Sequence, residues 1–184
     1  MRNAIFIVAI SYFMFSCNSH ADKKIKGEKR ANASTEVLKN KKTERFFPAE
    51  KTVEIFDTII ADKQIEITII KKDLDSYVAR QYDERDKKII DKYRDASIAL
   101  TIKQKSEILL DTVFRKEQFL ENPTCKEFKK IAVFHDYWFN KLDKNKIELF
   151  GTIAEPETDN AFDFYHYFDL NDKTLKFVIA KDDE

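Results

Sequence analysis

Residues 97–103 read Ser-Ile-Ala-Leu-Thr-Ile-Lys (SIALTIK), with Ile98, Leu100 and Ile102 alternating against Ser97, Ala99, Thr101 and Lys103. A period of two sends the aliphatic side chains to one face of an extended strand and the small or polar ones to the other. One buried face and one wet face is how strands of antiparallel sheets are written. The pattern spreads outward from here. On the amino-terminal side Ile65, Ile67 and Ile69 alternate with Glu66 and Thr68. Before them Val53, Ile55 and Ile59 share one side, across a turn at Ala61-Asp62-Lys63-Gln64. A further strand fits residues 76–82, and the charged run 83–95 suits either a helix or a second hairpin.

On the carboxyl-terminal side Ile108, Leu110 and Phe114 continue the alternation. Pro123 and the Thr124-x-x-Glu127 pattern then predict one short helix to about Lys130. Four more strands are expected at 131–140, 147–153, 161–169 and 174–181, with Asp, Asn, Pro and Lys in the turns between them. Gly151 interrupts one of these strands, which predicts a bulge or a close backbone approach. No helix is long enough to cross between parallel strands. The expectation is therefore an all-β domain of seven or eight strands with one short helix, an antiparallel meander closed as a barrel or folded as a sandwich. Sixteen Phe and seven Tyr predict an aromatic core.

The amino terminus is of another kind. Arg2 precedes an apolar run at 4–15 (AIFIVAISYFMF), followed by Ser16 and Cys17. A membrane-crossing helix needs about 20 apolar residues, so this run is a secretory signal rather than a span. A small residue followed at once by cysteine resembles the lipobox of bacterial lipoproteins. That resemblance implies cleavage before Cys17 and acylation of its thiol. Residues 18–51 carry ten basic and five acidic side chains and lack an apolar period, as a polar tether would. The division expected is a signal at 1–16, a lipidated Cys17 with a flexible basic tether at 17–51, and a single β-rich domain at 52–184. That domain carries six more acids than bases, which disfavours nucleic acid as a partner.

Chemistry is sparse in the remainder. With two glycines, Gly27 and Gly151, nearly every phosphate-cradling loop is excluded, and no cofactor is expected. No His-x-His or Cys-x-x-Cys spacing occurs, so no metal site is expected either. With Cys17 acylated, Cys125 reads as a small buried hydrophobe. His20 lies in the tether. Alternation groups His135 with Val133, Tyr137 and Phe139, and His166 with Phe162, Phe164 and Phe168, as core histidines. The opposite side of the last-but-one strand presents Asp163, Tyr165, Tyr167 and Asp169, and a neighbouring strand presents Asp136, Trp138 and Asn140. Tyr and Trp on an exposed sheet face are what binding surfaces use, so Trp138, Tyr165 and Tyr167, with Asp136 and Asp163, form the candidate binding face.

The signal, Cys17 and the polar tether together resemble the small Bacteroidetes-type envelope lipoproteins that carry a domain of unknown function. Asn18, rather than Asp, follows the cysteine, which by the same resemblance implies delivery to the outer membrane, on its periplasmic side. Asp57-Thr58-Ile59 and Asp111-Thr112-Val113 resemble the Asp-Ser/Thr-aliphatic O-glycosylation sites of some Gram-negative envelope proteins. The expectation is a lipid-anchored, non-enzymatic binding or structural module, held to the membrane through Cys17, whose partner is a protein, peptide or glycan. The alternative is a lipocalin-like barrel carrying a small apolar ligand. A third reading is a hydrolase with His166 or His135 as its base.

Overall fold

The computed structural model describes residues 41–85, 87–120 and 125–180. Among the described residues nine strands and one short helix follow in chain order: β1 (Lys41–Phe47), β2 (Val53–Ile60), β3 (Ile65–Glu84), β4 (Lys87–Gln104), β5 (Glu107–Arg115), α1 (Lys126–Ile131), β6 (Val133–Asp143), β7 (Lys146–Ala154), β8 (Ala161–Asp169) and β9 (Thr174–Ile179). They make two sheets. The second is a plain antiparallel meander in the order β6-β7-β8-β9. In the first, β4 pairs with β3 along one edge, and β3 pairs with β2. Along its other edge β4 pairs antiparallel with β5 through Ser97–Gln104 and parallel with β1 through Lys87–Tyr93.

The alternation that opens the sequence does the packing. Ile65, Ile67 and Ile69 of β3 and Ile98, Leu100 and Ile102 of β4 are buried on one face of the first sheet. They join Phe134, Tyr137, Ile147, Leu149, Ile153, Phe164 and Phe168 of the second sheet in one core cluster. Two sheets therefore pack face to face, a sandwich whose interior is filled by side chains from both.

Two details differ from the sequence reading, and one alternative it left open is decided. Residues 65–69 and 76–82 belong to one long strand, β3, which bends at a register shift between Asp73 and Tyr77. There the buried Asp73 accepts hydrogen bonds from the backbone N–H and hydroxyl of Thr52, both at 2.8 Å. The charged run after Tyr82 is a hairpin, turning through Arg85 at a φ of 55° into β4. Strand structure also begins at Lys41, inside the stretch read as tether. β1 shows no apolar alternation because charge pairing holds it. The Arg45 guanidinium reaches both Asp91 oxygens at 2.7 Å, and Lys92 pairs with Glu44 at 2.5 Å. Bonds to Lys42 and Lys92 hold the Glu44 carboxyl down at about 2.

A buried ion pair joins the sheets. Asp95 Oδ1 accepts the backbone N–H of Ala96 and of Phe134, each at 2.9 Å. Its Oδ2 lies 3.0 Å from Lys116 Nζ, which donates to the Ala132 carbonyl at 2.6 Å. The end of β5 and the start of β6 are thereby tied to β4, with each charge compensated as burial demands. The helix starts with Cys125 at its N-cap, without a side-chain cap; Pro123 and Thr124 lie outside the described residues.

Candidate functional site

Along β8 the side chains divide cleanly. Phe164, His166 and Phe168 are buried in the sandwich, while Asp163, Tyr165, Tyr167 and Asp169 lie on the outer face, half-buried. Register carries the division across the sheet. Trp138, Phe150, Tyr165 and Val178 stand opposite one another in turn and form a row over all four strands. Ring centroids are 4.7 Å apart from Trp138 to Phe150 and 5.0 Å from Phe150 to Tyr165. Tyr167 stacks beside Tyr165 at 5.9 Å. The ends of the row are open, with Trp138 42% and Val178 46% exposed.

Polar rows flank the rings. On one side Asp136, Thr152 and Asp163 are in register, and the Thr152 hydroxyl donates to Asp163 Oδ1 at 2.7 Å. Asp136 lies 3.9 Å from Lys71, which arrives from β3. On the other side Lys141, Glu148, Tyr167 and Lys176 are in register. The buried Glu148 is 3.4 Å from the Lys141 ammonium and accepts from the Asn140 amide. Burial, with the Glu148 charge adding to it, raises the Tyr167 phenol above its ordinary value. Lys146 sits 5.7 Å above the Tyr167 ring, within cation–π range. An aromatic strip edged by carboxylates on one side and mixed charge on the other offers flat apolar contact with hydrogen-bonding groups along both margins.

Five of the residues picked from sequence thus share one surface: Asp136, Trp138, Asp163, Tyr165 and Tyr167. Cys17 and His20 lie outside the described residues. Sequence reasoning missed Phe150, the ring that joins Trp138 to Tyr165. The signal was there, since Glu148, Phe150 and Thr152 keep period two on the outer side of β7. It was masked by Leu149 beside Phe150, which makes that stretch read as apolar throughout.

The histidines part company. His166 is buried, and its Nδ1 shares a 2.8 Å hydrogen bond with the Tyr137 hydroxyl. The rings of Phe114, Phe119, Phe164 and Phe177 surround it, and burial lowers its pKa to about 4. His135 does not share a side with Tyr137, contrary to simple alternation. A register shift between Phe134 and Asp136 makes it the extra residue of a bulge. Its side chain is exposed, with Nδ1 3.5 Å from Asp136 Oδ2. Thr58 and Thr112, the hydroxyls of the two glycosylation-like triplets, are half-buried on the inward side of the first sheet. Their neighbours Asp57 and Asp111 are exposed on its outer side. Among the described residues no three His, Cys, Asp or Glu side chains converge as metal ligands would.

These observations define the class: an all-β protein of two packed sheets with an aromatic strip on one outer face. The chain belongs to the family described as Domain of unknown function (DUF4738), whose profile matches residues 25–171. No curated protein matches it.

Proposed function

We propose that this chain is a lipid-anchored, non-enzymatic binding module of a bacterial cell envelope, of the Bacteroidetes type. It is held at the periplasmic side of the outer membrane by acyl chains on Cys17, and it engages a peptide or glycan through the aromatic strip. The observation that carries the binding part is the continuous row Trp138–Phe150–Tyr165–Val178 on a face left open. Core positions in a sandwich are filled from the two inner faces, so three adjacent rings on the outside serve a partner better than they serve stability. The space between the sheets is occupied by side chains such as Phe134, Phe164 and Phe168, which favours this reading over a barrel that carries an apolar ligand. The anchor rests on Arg2, the apolar run at 4–15 and the Ser16-Cys17 junction.

Two experiments test the two halves. A radioactive fatty acid fed to cells should label the wild-type protein and leave Cys17→Ala unlabelled and unprocessed; label retained by that variant rejects the anchor. Trp138 is the single tryptophan of the chain and lies within the strip, so its emission reports occupancy directly. Peptidoglycan fragments and envelope-derived peptides titrated against the full chain should shift that emission saturably, and Tyr165→Ala should abolish the shift. An unchanged spectrum across both ligand sets rejects the strip as their binding site.

A further inference from the structure

The outer face of the first sheet is built differently from the aromatic strip, and its pattern has a two-fold character. Four side-chain rows cross β2, β3, β4 and β5. The first holds Val53, Lys72, Ser97 and Arg115, and the second Ile55, Ile70, Ala99 and Val113. In the third stand Asp57, Thr68, Thr101 and Asp111, and in the fourth Ile59, Glu66, Lys103 and Ile108. Ile55 is 60% exposed, Val113 56% and Ile59 73%. Contiguous aliphatic exposure of this kind marks an interaction surface. The charges are ordered around it: an apolar row has two cations on one side and two carboxylates on the other.

We propose that this face pairs with the same face of a second copy, about a two-fold axis running along the Ile55–Ile70–Ala99–Val113 row. Rotation about that axis lays each strand antiparallel over its own counterpart. The apolar row then meets itself, and the basic row meets the acidic row of the other copy. Arg115 faces Asp111 of the second copy, and Lys72 faces Thr68 of the second copy beside Asp57, twice over by symmetry. Such self-complementarity is the requirement of an isologous interface. The carboxylates are prepared for it. Asp57 Oδ1 accepts from the Thr68 hydroxyl at 2.7 Å and Asp111 Oδ1 from the Thr101 hydroxyl at 3.1 Å. Each acid is thus held in place with its second oxygen left to face across the interface.

Three rows overlap in this pairing, and four strands about 4.8 Å apart with three rows about 6.8 Å apart cover roughly 19 by 20 Å, or on the order of 400 Å² per copy and 800 Å² for the pair. That is below the size of a stable interface, so the dimer is weak and reversible. Packed sheets about 10 Å apart leave room for Arg and Lys side chains to reach the opposite carboxylates.

Sedimentation equilibrium of the full chain, in density-matched detergent, tests the pairing. The wild type should show twice the monomer mass at tens of micromolar and dissociate on dilution. Ile55→Asp with Val113→Asp should raise the dissociation constant at least about 100-fold, with an unchanged circular dichroism spectrum because both positions are exposed. Arg115→Asp alone should weaken the dimer roughly tenfold or more by setting like charges opposite each other. Adding Asp111→Arg to that variant should restore it, since the exchanged charges again meet under the two-fold. A wild-type chain that stays monomeric to about 100 μM, a dimer indifferent to Ile55→Asp/Val113→Asp, or a charge exchange without recovery would each overturn the proposal.

Discussion

Both sides of the meander sheet carry aromatic rings, and the rings have opposite physical jobs. On the inner side Phe162, Phe164, His166 and Phe168 of β8 face the first sheet, and Phe119 stacks on Phe164 at a centroid distance of 4.4 Å. On the outer side Tyr165 of the same strand contacts Phe150 and stacks with Tyr167, both tyrosines half-exposed. Aromatic content alone does not separate core from surface here. What separates them is the polar atom each ring system carries and where that atom finds its partner. The inner side has one imidazole and one phenol, satisfied by each other; the outer side has phenols, carboxylates and an indole open to a ligand.

The strongest test of that contrast is truncation on each side. Phe164→Ala removes a fully buried ring at the centre of the cluster and should cost about 3–5 kcal/mol, or roughly 10–20 °C in Tm. Tyr165→Ala, one residue along, should cost below about 1 kcal/mol. Denaturant unfolding of both variants measures the ratio. Equal costs would mean that the outer rings are structural and would remove the argument for a binding strip.

Gly151 sharpens the comparison from the small-residue end. It stands opposite Phe164 in β7, and a Cβ placed there would lie 2.3 Å from the Phe164 ring tip. The close approach expected at this glycine is therefore made by a ring rather than by backbone, and the ladder continues unbroken through it. Gly→Ala in an open strand is normally neutral or helpful. Here Gly151→Ala should cost about 2–3 kcal/mol by overpacking. Combining it with Phe164→Leu should recover part of the loss, which thermal melts of the single and double variants would show.

The inner polar pair predicts a pH dependence. Folded, His166 takes up a proton only near pH 4, whereas in the unfolded chain it does so near its ordinary 6.5. Between those values the unfolded state binds more protons, so stability is full above about pH 6.5 and falls as pH drops toward 4. The loss from this group should reach about 2 kcal/mol by pH 5. His166→Phe leaves the Tyr137 hydroxyl without its partner and lowers stability at neutral pH, yet it should flatten the slope between pH 7 and pH 5. Urea midpoints at several pH values decide it. Parallel slopes in the two proteins would show that His166 is not the titrating group.

Much of this fold is written in period two. The strands around Ile67, Leu100 and Phe164 alternate because one face is dry and the other wet, and local sequence records that directly. β1 is illegible by the same logic: Lys41–Phe47 sits parallel on β4 and is held by Arg45–Asp91 and Glu44–Lys92, partners more than forty residues away. The Asp95–Lys116 pair is hidden for the same reason, since two charges in sequence do not announce burial. In the candidate site, Trp138, Tyr165 and Tyr167 were readable from alternation within a strand. The extra residue at His135 was not, because a bulge changes which side a residue falls on relative to those before it, and period two alone does not mark where a bulge sits. Phe150 needed the register between strands, which only the folded sheet supplies.

The smallest expected effect bears most directly on function. Trp138→Ala together with Tyr165→Ala removes two rings from the outer row and leaves the inner face untouched. Cross-strand aromatic pairs on a wet face contribute about 0.2–1 kcal/mol each, so the double variant should melt within a few degrees of the wild type. Its circular dichroism should be unchanged, and any ligand that shifted the wild-type Trp138 emission should fail to bind when followed by calorimetry instead. A loss comparable to that of Phe164→Ala would place these rings in the structural core. Retained affinity in the double variant would move the binding surface elsewhere, because the row cannot lose both rings and keep a flat apolar contact.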